Sequence, residues 1–192
     1  MKISLSRFSS TLALAAPAIA LLAPTVDAAV YIKFDGVDGE SVSKGHEKWI
    51  ELLSYSWGVS QSALGGTGAG RVAVKDITIV HRIDKSSPLL FLGTAQGKVI
   101  PKVTLSLTRN AGGREVEYYT ITLTDVLISS ISSAGSPTAG ANDRPTEAVS
   151  FKVFPKIEIH YTPIDDASGE VSGPEVTSGV IETDTAPVGA AG

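Results

Sequence analysis

Cysteine is absent from the 192-residue chain, and histidine occurs only as His46, His81 and His160. Without a thiol there is no disulfide framework, no lipid-anchored cysteine and no cysteine nucleophile. The three histidines form no His-Glu-x-x-His pair, and no Gly-x-Ser-x-Gly elbow is present, so zincin and serine-hydrolase chemistry have no sequence basis. Basic charge is not in surplus. Lys and Arg number 16 against 20 Asp and Glu, for a net charge of −4, which offers no basic surplus for nucleic acid. Internal repeats are missing. The most apolar stretch, Phe8 to Val26, is broken by Pro17 and Pro24 and falls short of the roughly 20 strongly apolar residues that cross a bilayer.

That apolar stretch has another use. Lys2 and Arg7 precede it, and Val26-Asp27-Ala28 places small residues ahead of Ala29. A positive start, a greasy middle and a small-residue end are the layout of a secretory signal peptide. The expectation is a leader, Met1 to Ala28, cleaved before Ala29, and a periplasmic or extracellular product. An uncleaved anchor is the rival reading. At the other end, residues 164–192 carry Asp165, Asp166, Glu170, Glu175, Glu182 and Asp184 with no Lys or Arg. Rich in Gly, Ser, Thr, Ala and Pro, this acidic low-complexity tail is expected to be poorly ordered or an extended arm. The body, residues 29–163, is left near neutrality and is long enough for one domain with a core.

Period-two alternation dominates the body. Val103, Leu105 and Leu107 alternate with Thr104, Ser106 and Thr108; Tyr119, Ile121 and Leu123 alternate with Thr120, Thr122 and Thr124. Ile157, Ile159 and Tyr161 do the same, as do Leu53, Tyr55, Trp57 and Val59. Each run predicts a strand with one buried face. Val72 and Val74 are out of phase with Ile77 and Ile79, which predicts a bulge near Lys75-Asp76. Ser86 to Lys98 reads differently: Ser87 as a cap, Pro88 at the first helical position and Gly97 at the exit predict one short helix. Eight or nine strands with one helix imply a mainly β, antiparallel barrel or sandwich. The aromatics Trp49, Tyr55, Trp57, Phe91 and Phe151 read as packing residues.

Few residues suggest a small-molecule site. His160 on the polar side of its strand and His46 in a polar loop read as solvated. Gly68-Ala-Gly-Arg-Val-Ala73 has dinucleotide-motif spacing, but strand-forming residues follow where a helix is needed. Asp35, Asp38 and Glu40 lack the spacing of a calcium loop and read as a polar turn. Glu115, Glu117, Lys152 and Lys156 read as charged edges. No catalytic group, cofactor or metal is expected.

Larger stretches carry a resemblance. Tyr31-Ile-Lys-Phe-Asp-Gly-Val-Asp-Gly-Glu-Ser41, then His46-Glu-Lys-Trp-Ile-Glu-Leu-Leu-Ser-Tyr-Ser-Trp-Gly-Val-Ser-Gln61, resemble the opening of the Hcp (haemolysin-coregulated protein) family, the tube subunits of type VI secretion systems. The likeness continues through Val74 to Leu90 with its Asp-Lys-Ser-Ser-Pro, Tyr118 to Ser129, Pro145 to Phe151 and Ile157 to Tyr161. It implies a β-barrel with one flanking helix, similar to phage tail-tube proteins. It also implies a homohexameric ring, stacking into a tube whose lumen takes effector cargo. Typical members begin near the equivalent of Val30 and carry no leader.

A partly open barrel would leave strand edges for neighbouring copies to pair with. The Gly-rich loop is the candidate for contacts between rings: Ser62, Leu64, Gly65, Gly66, Thr67, Gly68, Gly70 and Arg71. The functional expectation is an exported structural subunit of Hcp-like rings or tubes, and not an enzyme. The alternative is a secreted monomeric module of the same fold that holds a protein partner. A secreted effector enzyme ranks last, since the tail is too short for a catalytic domain.

Overall fold

The computed structural model describes residues 28–61, 72–135, 144–178 and 181–182. The Gly-rich loop and Met1 to Asp27 therefore lie outside the described residues. The strands are β1 (Ala28–Phe34), β2 (Ile50–Ser56), β3 (Val59–Gln61), β4 (Val72–Val74), β5 (Ile77–Arg82), β6 (Val99–Ala111), β7 (Arg114–Ala134), β8 (Thr146–Tyr161), β9 (Val176–Thr177) and β10 (Ile181–Glu182). Among the described residues one helix, α1 (Ser87–Gln96), sits between β5 and β6.

Six of these strands close on themselves. The order runs β8-β5-β2-β1-β6-β7, and β7 pairs with β8 again. Every junction is antiparallel. The barrel is closed, and the partly open barrel expected from sequence is corrected: once β7 and β8 join, most backbone edges are already satisfied. The β6–β7 hairpin shows how local sequence sets register. Ala111 faces Arg114 across Gly112-Gly113, both with positive φ (60° and 73°), as a two-residue type I′ connection requires.

Inward-facing residues fill the barrel. Ile32, Phe34, Ile79, Val103, Leu105, Ile121, Leu123, Val149, Phe151 and Ile157 are all essentially inaccessible to water. Phe34 and Phe151 meet edge to face with centroids 5.6 Å apart. From α1, Leu90 joins this core.

Several sequence expectations shift by a residue or a face. In β2 the inward phase is Ile50 and Leu52, then Tyr55, because the pairing with β5 slips between Leu52 and Ser54. Leu53 is consequently exposed, and Val59, in β3 outside the barrel, is exposed as well. The expected bulge at Lys75-Asp76 is a complete break: β4 pairs with β3 in a separate two-stranded ribbon, while β5 stays in the barrel. The N-cap position is Ser86 and not Ser87, with no side-chain capping hydrogen bond; the Ser87 hydroxyl accepts from the Asp84 amide at 3.3 Å. Gly97 ends the helix in the left-handed region, as its position suggests.

The first part of the acidic tail is an arm along the barrel. Residues 164–171 form a tight turn closed by an Ile164–Val171 bridge. β9 then pairs with His160 and Tyr161, and β10 with Lys156 and Ile157, on the side of β8 that β5 leaves uncovered.

Candidate functional site

The outer face of the barrel is polar, yet part of it is buried. Residues 35–49 fold back over β1 and β6, held by Gly39 N–H to Lys48 O (2.8 Å) and Ser41 N–H to Trp49 O (3.0 Å). This places His46 against the strands, only 6% exposed. Its ring stacks on Tyr31 (4.4 Å, 14°) and meets Trp49 edge to face. The reading of His46 as solvated is corrected: an aromatic sandwich and a polar anchor draw it in.

That anchor comes from the outward residues of β6 and β7. The Ser106 hydroxyl donates to Glu117, so His46 Nε2–H donates to Ser106 Oγ at 2.7 Å. Glu117 lies 3.4 Å from the same ring nitrogen. The hydrogen bond from His46 holds the Glu117 carboxyl below its ordinary range. Beside it, Glu115 accepts from Ser43 (2.7 Å) and Thr108 (2.5 Å). Glu115 and Glu117 thus serve as acceptors for a covering loop, where sequence suggested plain charged edges. Ser106 and Thr108 are buried although they occupy the outward phase of β6.

Serine, histidine and glutamate in one cluster invite comparison with a catalytic triad. In a triad the acid holds Nδ1 while the serine faces Nε2. Here both partners lie on Nε2, Nδ1 is buried without a hydrogen-bond partner, and Ser106 is inaccessible to substrate. The cluster fastens a loop.

A second buried pair spans β5 and β8. His81 and Glu147 are directly opposite in register, with Nε2 3.0 Å from Oε1. His81 Nδ1 lies 2.8 Å from the Arg82 carbonyl oxygen. Between these two clusters lies a cleft of roughly 350 Å³, lined among others by Glu40, Ser43, Arg82, Asp84, Glu115 and Arg144. Opposite charges already meet there: Glu40 pairs with Arg144 at 2.8 Å. Asp38 is likewise engaged, by Lys33 at 2.6 Å, as suits the polar turn read from sequence. Among the described residues no group of three or more His, Cys, Asp or Glu is arranged to hold a metal. Val72–Val74 is a strand, so the dinucleotide-like spacing before it lacks its helix.

The self-assembly candidates Ser62, Leu64, Gly65, Gly66, Thr67, Gly68, Gly70 and Arg71 lie outside the described residues. The β3–β4 ribbon that carries them is described, with Val59 opposite Val74. A feature missed by sequence reading lies on α1. Phe91 is 63% exposed, and Leu89, Leu92 and nearby Val99 are also exposed. Phe91 was expected to pack inward and does not. Four consecutive apolar residues, Leu89 to Leu92, point around the whole circumference of a helix, so one sheet can bury only some of them. Of the four, Leu90 is the one fully buried. Trp49, Tyr55 and Trp57 are half-buried, and His160 is ion-paired to Glu175 (2.7 Å) and Glu158 (3.3 Å).

The comparisons with known proteins converge. The family described as "Type VI secretion system effector, Hcp" matches residues 31–161. The chain is 40% identical over 149 residues to the protein Hcp1 of Pseudomonas aeruginosa, covering 76% of this chain and 90% of that one. A crystal structure of Hcp1 from Salmonella typhimurium superposes with a TM-score of 0.66 at 28% identity, over 82% of this chain and 95% of that one. A type VI secretion system effector from Yersinia pestis gives 0.61 at 28% identity, over 80% and 98%. The match spans β1 to β8, the strands that close the barrel, and on that ground the chain belongs to the Hcp family of type VI secretion proteins.

Proposed function

We propose that this chain is a structural subunit that assembles with copies of itself into rings, stacked into tubes, and serves type VI-like protein secretion without catalysing a reaction. The observation that carries the reading is the exposed apolar face of α1, on a barrel whose family match runs end to end. No charged residue falls between Ser86 and Gly97. Contiguous exposed apolar surface of this kind marks an interaction face. Because the barrel is closed, ring contacts rest on side-chain surfaces such as α1 more than on the edge pairing expected from sequence.

In this reading the leader, Met1 to Ala28, directs export and is cleaved before Ala29. Cleavage there costs the barrel little, since Ala29 to Phe34 keep their partners Thr108 to Val103. The loop of residues 62–71, at the end of the β3–β4 ribbon, supplies the axial contact between rings, and the lumen takes effector protein.

Light scattering and negative-stain microscopy of the chain beginning at Ala29 test this. Rings of six are expected, and Phe91→Glu should dissociate them while leaving the barrel folded. Deleting residues 65–70 should leave rings that do not stack; unchanged tubes would remove that loop from the assembly. A monomer at every concentration would overturn the ring reading. It would favour the second one, a secreted monomeric binding module whose α1 face holds a partner protein.

A further inference from the structure

The arm formed by residues 164–178 is seated with more precision than a solvated tail needs. Two glycines show it. A Cβ on Gly112, at the β6–β7 tip, would lie 2.3 Å from Ser168 O, and one on Gly169 would lie 2.6 Å from Ala111 O. Hairpin tip and arm turn are thus in backbone contact, and both positions have positive φ. Side chains of the barrel then hold the acids of the arm: Arg109 pairs with Asp166 (2.7 Å), Arg114 with Glu170 (2.7 Å), and His160 Nδ1 lies 2.7 Å from Glu175. Arg109 also donates to the Ile164 carbonyl, and Arg114 to that of Gly169 at 2.9 Å.

What the arm covers is backbone. The Ile159 amide donates to Ser178 Oγ at 3.1 Å, and the Ile159 carbonyl accepts from the Ser178 amide at 2.9 Å. By strand alternation the amides of Ile157 and Tyr161 point to the same side, and those of Glu158 and His160 point to β7. Apolar anchoring is slight. Ile164 is buried, but Val171 and Val176 are exposed. A hold made of ion pairs and edge hydrogen bonds is weak and screened by salt.

We propose that residues 156–161 of β8 form a strand-addition surface for a second copy of this chain, and that the arm is its built-in occupant, keeping the edge closed. The edge complements itself. If two copies pair antiparallel about Ile159, the outward amides of 157, 159 and 161 face those of 161, 159 and 157 in hydrogen-bonded register. The same register sets Glu158 of each copy against His160 of the other, and Ile157 against Tyr161. Such a contact is isologous and closes as a pair. The arm cannot be handed wholesale to a neighbour. Only Thr162 and Pro163 link β8 to its first turn, a reach of about 7 Å at full extension. Guarding the edge in cis is what this short tether permits. The proposal does not depend on ring formation, since a twofold pairing would double a monomer or a ring alike.

The test compares the full mature chain with a variant ending at Pro163, by light scattering over a range of concentrations and by hydrogen exchange at the amides of 157, 159 and 161. The shortened chain should reach twice the mass of the full chain's own assembly. Those amides should become protected only as concentration rises. His160→Glu in the shortened chain, which sets like charges opposite each other, should reverse the doubling. A full-length variant carrying Arg109→Gln, Arg114→Gln and Glu175→Gln loosens the arm without removing it, and should pair in the same way even if the shortened chain fails to fold. Equal masses at all concentrations, with the three amides unprotected in the loosened or shortened chain, would overturn the proposal. So would a doubling that His160→Glu leaves untouched.

Discussion

Strand β6 buries residues on both its faces, and the two faces are held by different physics. Inward, Val103, Leu105 and Leu107 enter a core whose members gain by leaving water and by close packing. Outward, Ser106 and Thr108 are just as inaccessible, but they are polar and each satisfies a carboxylate of β7 beneath the covering loop. The inner face tolerates any apolar side chain of suitable volume. The outer face needs partners placed to a fraction of an ångström, because an unpaired buried polar group is costly.

Truncating the core should give the largest loss. Phe151→Ala removes a ring packed on Phe34 and should cost about 3–5 kcal/mol in urea-induced unfolding. A smaller loss, about 1–3 kcal/mol, is expected for His81→Ala, which takes away the imidazole 3.0 Å from the buried Glu147 carboxyl and leaves Ser133 at 3.4 Å from it. If His81→Ala were tolerated within 0.5 kcal/mol while Phe151→Ala was not, the pair would be shown to carry little. Ser106→Ala should cost less, about 1–2 kcal/mol, by leaving His46 and Glu117 without their shared hydroxyl.

Acid should distinguish the faces further. The Glu117 carboxyl sits below its unfolded value, chiefly through the His46 hydrogen bond, so its stabilisation is present above the unfolded value and is lost as pH falls through the folded one. Glu117→Gln should flatten the acid side of the stability curve, whereas Phe151→Ala should lower the whole curve without changing its shape. The smallest effect belongs to the arm. His160 is raised above its ordinary value by Glu175, so that contribution is full below the unfolded value and fades as pH rises through the folded one. Glu175→Gln should remove that weak alkaline fade, read as a chemical-shift titration of the His160 ring.

The contrast between faces also explains what the sequence could tell. Alternation in 103–107, 119–123 and 157–159 was legible because inward burial follows hydrophobicity. Ser86 to Gly97 announced a helix through its proline and glycine. The phase of β2 was not legible, because the slip between Leu52 and Ser54 is decided by pairing with β5 and leaves no local mark. Nor was the burial of His46. Its partners Ser106 and Glu117 lie some 60 and 70 positions away and look like ordinary outward residues of their strands. The exposure of Phe91 could have been anticipated from four apolar residues in a row on a helix with one sheet to rest on. Closure itself needed the β7–β8 register, which no single strand pattern encodes.

That closure imposes an order of events on a chain made from one end. β1, the first strand, sits between β2 and β6, and the final seam is supplied by Thr146–Tyr161, which must find both β5 and β7. Until that late stretch arrives the cylinder has a gap, and sealing it on the β5 side means joining partners such as Arg82 and Thr146 across about half of the body. A nascent chain therefore remains threadable until Thr146–Tyr161 is made and becomes a sealed object only then.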